Sequence, residues 1–171
     1  LKEQRKEVEK LLPFDVEHEF DFGDISNSMK PLFDSVVLST IASYAQGMDI
    51  LKEASSTYNY DLNMPSIAQI WKGGCIIRSK LLIRIQEAYK KDPNLKNLIF
   101  DDWFSSQISK RIDNLSYIVA SANKAGVPVP CLSSTLDYLN SYRTSRLPQN
   151  LVQAMRDCFG SHTYERVDMD G

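Results

Sequence analysis

One run near the end of the chain gathers the side chains best suited to bind charge: Arg156-Asp157-Cys158-Phe159-Gly160-Ser161-His162-Thr163-Tyr164-Glu165. An arginine presents a planar fork that matches phosphate or carboxylate, and a histidine offers a hydrogen bond near neutral pH. Arg156 falls near the end of a helical pattern, and His162 follows Gly160, which lets the backbone turn. From spacing alone the plainer account is favoured: Arg156 complements the helix dipole and His162 makes a loop contact.

Other stretches have weaker claims. In Lys72-Gly73-Gly74-Cys75-Ile76-Ile77-Arg78 the glycine pair would let a phosphate approach the backbone, but tight packing suits it better. Trp71 and Trp103 read as anchors of the core rather than stacking platforms. The acids Glu17, Glu19, Asp21 and Asp24 lack the spacing of a calcium-binding EF-hand loop and read as a solvated loop. Cys75, Cys131 and Cys158, with only His18 and His162 as companions, fit no zinc spacing. They read as buried thiols in a reducing compartment, and the expected location is cytoplasmic.

The glycines form neither G-x-G-x-x-G nor a P-loop, so these residues have no recognisable nucleotide phosphate cradle, and G-x-S-x-G is missing too. Twenty Lys and Arg against 22 Asp and Glu leave a net charge of -2, which argues against a nucleic-acid partner. No run approaches the roughly 20 apolar residues of a membrane span. At 171 residues and 43% apolar, the chain has the size and composition of a globular domain with a core. It opens on Leu1 with no signal-peptide pattern and reads as a segment of something longer.

The elements that must carry these groups are helical. Residues 1–27 read as the end of one helix, stopped at Pro13, followed by a connecting loop; residues 28–171 read as one all-α domain segment. A long helix is expected from a Ser28 cap to about Thr57, roughly 45 Å at 1.5 Å per residue, with Pro31 in its first turn. Phe33, Val36, Val37, Ile41, Tyr44, Met48 and Leu51 share its apolar face. The small residues around Gly47 mark close packing on another helix, and exposed apolar faces of this helix are a source of intermolecular contacts. Asn63 caps the next helix, which is interrupted at Gly73-Gly74 and resumes from Cys75 to Tyr89. Asp101 or Asp102 then opens a helix carrying Ile108, Ile112, Leu115, Val119 and Ala122, stopped by Gly126 and Pro128. Leu132, Leu136 and Leu139 mark another helix, and Pro148 opens a last one ending near Gly160.

With these segments laid out, the sequence resembles the 6-phosphogluconate dehydrogenases. The resemblance runs in order through Ser43-Tyr44-Ala45-Gln46-Gly47, Ile70-Trp71-Lys72-Gly73-Gly74-Cys75-Ile76-Ile77-Arg78-Ser79 and Gly126-Val127-Pro128-Val129-Pro130. It continues through Ser141-Tyr142-Arg143 and Leu147-Pro148-Gln149-Asn150-Leu151 to Gln153-Ala154-Met155-Arg156-Asp157-Cys158-Phe159-Gly160-Ser161-His162-Thr163-Tyr164. The terminal run belongs to the phosphogluconate branch and speaks against another β-hydroxyacid dehydrogenase.

The resemblance implies an all-helical C-terminal domain that follows an NADP-binding Rossmann domain and forms much of a homodimer. The catalytic Lys and Glu would lie upstream, so no catalytic residue is expected here, and the segment alone would be inactive. Family members bind the phosphate of 6-phosphogluconate with the Arg and His of the R-D-x-F-G-x-H motif, reaching into the neighbouring subunit. Those positions match Arg156 and His162. Cys158 departs from the aromatic residue often found there, without touching either ligand. The implied reaction oxidises 6-phosphogluconate at C3 with NADP⁺ and releases CO₂ to give ribulose 5-phosphate. The competing expectation is a purely structural helical dimerisation module.

Overall fold

The computed structural model describes residues 1–13 and 25–169. Among the described residues eight α-helices succeed one another: α1 (Lys2–Leu11), α2 (Ile25–Tyr58), α3 (Met64–Ile70), α4 (Leu81–Lys91), α5 (Asp102–Ser109), α6 (Ile112–Lys124), α7 (Pro130–Tyr142) and α8 (Asn150–Gly160). A 3₁₀ turn covers Leu98–Phe100. Among the described residues there is no strand, and the all-α class holds. No helix among them is long and apolar enough to cross a membrane. His18 and the acids at 17, 19, 21 and 24 lie outside the described residues.

Several helix ends follow from local chemistry. Asn63 Oδ1 accepts the Ser66 N–H at 2.9 Å, and Asp101 Oδ1 accepts those of Trp103 and Phe104 at 3.0 and 3.3 Å. Each satisfies donors that the first helical turn leaves without a partner. At the end of α6, Gly126 adopts φ 68°, Val127 N–H bonds the Ala122 carbonyl at 2.8 Å, and Gly126 N–H bonds that of Asn123 at 3.1 Å. That pair of bonds is a Schellman stop, which favours glycine because it requires a left-handed residue.

The chain divides into two compact units, Leu1–Leu136 and Asp137–Gly171. In the first, α2 packs on α6 and α3 on α4. Leu38, Ile41, Ala42, Ala45 and Met48 of α2 are buried, as are Leu115, Ile118 and Ala122 of α6 and Leu82, Ile85 and Tyr89 of α4. Each fully buried Leu or Ile contributes about 1.5–3 kcal/mol by removal from water. Polar bonds add register: Ser39 and Thr135 hydroxyls meet at 2.9 Å, and the side-chain ammonium of Lys52 bonds the Asn94 and Leu95 carbonyls at 2.8 and 2.6 Å.

Four expectations are corrected. First, α2 begins at Ile25 rather than after a Ser28 cap, so Pro31 falls in its second turn. Its core face also differs: Phe33 and Val36 are exposed, while Leu38, Ala42 and Ala45 are buried. Gly47 is not a close-packing site, since a Cβ there would meet nothing within 4 Å. Second, the helix does not resume at Cys75. Gly74 takes φ +71°, and the Tyr44 hydroxyl donates to the Ile77 carbonyl, which a continued helix would have bonded to residue 81. Third, Asp102–Lys124 is two helices, because Arg111 leaves the helical run and its guanidinium bonds Gln107 and pairs with Asp34 of α2. Fourth, no cysteine is buried: Cys75 is half-buried, and Cys131 and Cys158 are exposed free thiols.

Candidate functional site

Within the second unit, α8 is amphipathic but buries none of its residues there, and it carries Arg156 one turn before its end. Proline at 148 and the loss of helical geometry after Gly160 set its length. The turn is made by Ser161, in the left-handed region at φ 51°, and not by Gly160, which is helical. Gly160 serves differently: a Cβ there would stand 3.2 Å from His162 Nε2, so the missing side chain leaves room for the imidazole.

The strap after α8 is drawn back onto the helix. Asp157 Oδ1 accepts the backbone N–H of Thr163 at 2.9 Å, and Gln153 Nε2 donates to the Thr163 carbonyl at 2.6 Å. The Ser161 N–H closes the helix on the Asp157 carbonyl at 2.8 Å. Thr163 is itself left-handed at φ 60°, so two non-glycine residues in that region flank His162. Such a conformation is uncommon for a β-branched residue and persists where surrounding bonds fix it.

Arg156 Nη1 donates to Gln153 Oε1 at 3.1 Å, so its head turns back along the helix rather than onto the terminal carbonyls. The dipole-capping account of Arg156 is therefore not the geometry found. Arg156 and His162 both remain exposed, whereas Gln153 and Asp157 are half-buried. The two candidate ligands are thus joined through Gln153 and Thr163. Sequence reading missed Gln153 and Asp157 as organisers, although their i, i+4 spacing places both on one helix face.

The other candidates do not assemble a site. A Cβ at Gly73 or Gly74 would meet nothing within 4 Å, so tight packing is not why they are glycine, and Lys72 bonds Gln69 and Gln86. Trp71 and Trp103 are half-buried and neither anchors the core; Arg84 lies 5.5 Å over the Trp103 ring and Phe104 beneath is the buried residue. Trp71 lines an open cleft of about 690 Å³ with Tyr44, Ile77 and Leu132. Among the described residues no His, Cys, Asp and Glu group is placed to hold a metal ion. They also form no glycine-rich strand–turn–helix, so these residues do not fit a dinucleotide cradle.

Comparison with known proteins agrees with the helical architecture. A family model described as 6-phosphogluconate dehydrogenase, C-terminal domain, matches residues 1–171. The chain is 45% identical over 171 residues to a decarboxylating 6-phosphogluconate dehydrogenase of Synechococcus elongatus, covering all of this chain and 36% of that relative. It is 48% identical over 137 residues to an NADP(+)-dependent, decarboxylating 6-phosphogluconate dehydrogenase of Bacillus subtilis, covering 80% of this chain and 29% of that one. A solved Plasmodium falciparum 6-phosphogluconate dehydrogenase, studied in its apo form and with NADP+ or 6-phosphogluconate, superposes with a TM-score of 0.89 at 40% identity. That likeness covers 99% of this chain and 36% of the solved one. The chain spans about a third of the length of the curated relatives it matches. By full-length match and by fold, this chain belongs to the 6-phosphogluconate dehydrogenase family, within its C-terminal domain.

Proposed function

We propose that this chain is the C-terminal part of an NADP-dependent enzyme that converts 6-phosphogluconate to ribulose 5-phosphate and CO₂. In this reading Arg156 and His162 bind the substrate's phosphate within the active site of a neighbouring subunit, in a homodimer. The observation that carries it is the exposed pair itself: a guanidinium and an imidazole, each left open to solvent and both tied to the same hydrogen-bonded strap.

The chemistry follows from what such a pair does to a dianion. A charge-assisted hydrogen bond contributes about 1.5–3 kcal/mol, and the arginine fork makes two in one plane. The phosphate is remote from C1 and C3, where bonds change. Binding energy gained there holds the reacting end in place and lowers the entropy lost on reaching the transition state. NADP⁺, when bound, accepts the hydride; the residues of this chain hold the opposite end of the sugar. Because they act across a subunit boundary, the monomer's site is incomplete, and dilution below the dimer range abolishes turnover.

The test is Arg156→Ala in a full-length family enzyme carrying this segment. The KM for 6-phosphogluconate should rise about 10- to 100-fold. A wild-type KM refutes the phosphate role.

A second reading, a helical dimerisation module with no ligand, draws on apolar side chains left in solvent: Phe33 is 64% exposed, Leu151 72% and Phe159 87%. Light scattering combined with a 6-phosphogluconate titration separates the two. A dimer that binds no sugar phosphate favours the second. The cytoplasm is the compartment expected on either reading, and a rice relative is named as chloroplastic.

A further inference from the structure

We propose that Gln153 and Asp157 are positioning residues that preset Arg156 and His162 as one phosphate-binding unit. The inference rests on the phosphate-binding reading above and deepens it.

Thr163 is the residue on which the strap is fastened. Both of its backbone polar groups are engaged by side chains of α8: the N–H by Asp157 Oδ1 at 2.9 Å, the carbonyl by Gln153 Nε2 at 2.6 Å. The N–H belongs to the 162–163 peptide and the carbonyl to the 163–164 peptide, so the two successive peptide planes that flank the Thr163 Cα are both held, and the first of them is shared with His162. The backbone confirms the constraint, since Ser161 at φ 51° and Thr163 at φ 60° lie in a region that a Ser or Thr leaves unless held. Gln153 then uses its other amide atom. Its oxygen accepts from Arg156 Nη1 at 3.1 Å, so one side chain restrains the strap and the guanidinium together. An amide suits this task because it offers a donor and an acceptor at fixed separation. Gln153 and Asp157 are half-buried while the two groups they steer are exposed, which leaves the steered groups free for a ligand.

An unrestrained arginine or strap loses rotamer and backbone freedom when it binds. Ordering it beforehand moves that loss out of the binding step. Gln153 and Asp157 therefore affect affinity for the phosphate without touching it, and the chemical step proceeds at its usual rate once substrate is bound.

The experiment uses the full-length enzyme and measures KM and kcat for 6-phosphogluconate, with the inhibition constant of inorganic phosphate as an independent probe. Gln153→Ala should raise both KM and the phosphate inhibition constant about 3- to 10-fold, with kcat within about twofold of wild type. Placed on Arg156→Ala, it should add clearly less than it does alone, because part of its effect runs through the arginine. Gln153→Glu keeps an acceptor for Arg156 and loses the donor to Thr163, so it should give an intermediate KM; it also serves if the alanine variant folds poorly. If Arg156→Ala raises KM but Gln153→Ala and Gln153→Glu both leave it at wild type, the positioning role is overturned and the phosphate reading stands. Full multiplication of the Gln153 and Arg156 effects likewise overturns it. A wild-type KM for Arg156→Ala removes both readings together.

Discussion

Asp34 Oδ1 lies 3.0 Å from Arg111 Nε, an ion pair that fastens α2 to the start of α6. The same carboxylate accepts from Lys30 at 2.5 Å and from Asn114 at 2.6 Å. Burial pushes the Asp34 carboxyl pKa up, but the Lys30 and Asn114 bonds and the charges of Lys30 and Arg111 outweigh it, leaving the pKa below the ordinary 3.8. A carboxyl depressed in the folded state stabilises the fold above its unfolded pKa and loses that contribution as pH falls through the folded value. Asp34→Ala should therefore cost about 2–3 kcal/mol in urea denaturation at neutral pH, because Arg111 is left half-buried without its partner. The gap between variant and wild type should narrow below pH 3.8. A gap that is constant down to about pH 2 contradicts the assignment.

Tyr89 makes the opposite case. Its side chain is fully buried and its hydroxyl has no hydrogen-bond partner among the described residues. Burial, with the charge of Asp49 adding to it, pushes its pKa up to about 12. Removing a buried hydroxyl that makes no bond relieves a desolvation penalty. Tyr89→Phe should be neutral or stabilising by up to about 1 kcal/mol. The raised pKa also means that wild type loses stability as pH climbs from 10 towards about 12, a slope the phenylalanine variant lacks. Thermal melts across that range decide it. A loss above about 1 kcal/mol on substitution would mean the hydroxyl is in fact satisfied.

Ser161 occupies the position after α8 where glycine is the usual residue, at φ 51°. Ser161→Gly relieves the left-handed strain, and protection of the last α8 amides against hydrogen exchange should rise by an amount equivalent to about 0.5–1 kcal/mol. Reduced protection would show that the serine conformation is unstrained.

How much of this was legible in the sequence depends on the range of the interactions. Asn63, Asp101 and Gly126 were read correctly because capping is settled within a few residues. The break at 110–111 and the missing turn after Cys75 were not, since they depend on Asp34 meeting Arg111 and Tyr44 meeting Ile77, partners far apart in the chain. The core face of α2 was partly misread because large apolar residues were weighted over Ala42 and Ala45, which lie fully buried.

Arg156 and His162 were recognisable only through family resemblance, as their spacing alone favoured a bland account. Gln153 and Asp157 stayed hidden for a different reason. Their bonds reach Thr163 only because Ser161 and Thr163 bend the chain left-handedly, whereas the glycine that suggested a turn, Gly160, is itself helical.

Everything that aims the guanidinium and the imidazole is written between positions 153 and 163. A single inserted or deleted residue inside that interval would throw the two groups out of phase. The spacing of this short stretch is therefore itself a part of the device, as much as the side chains it carries.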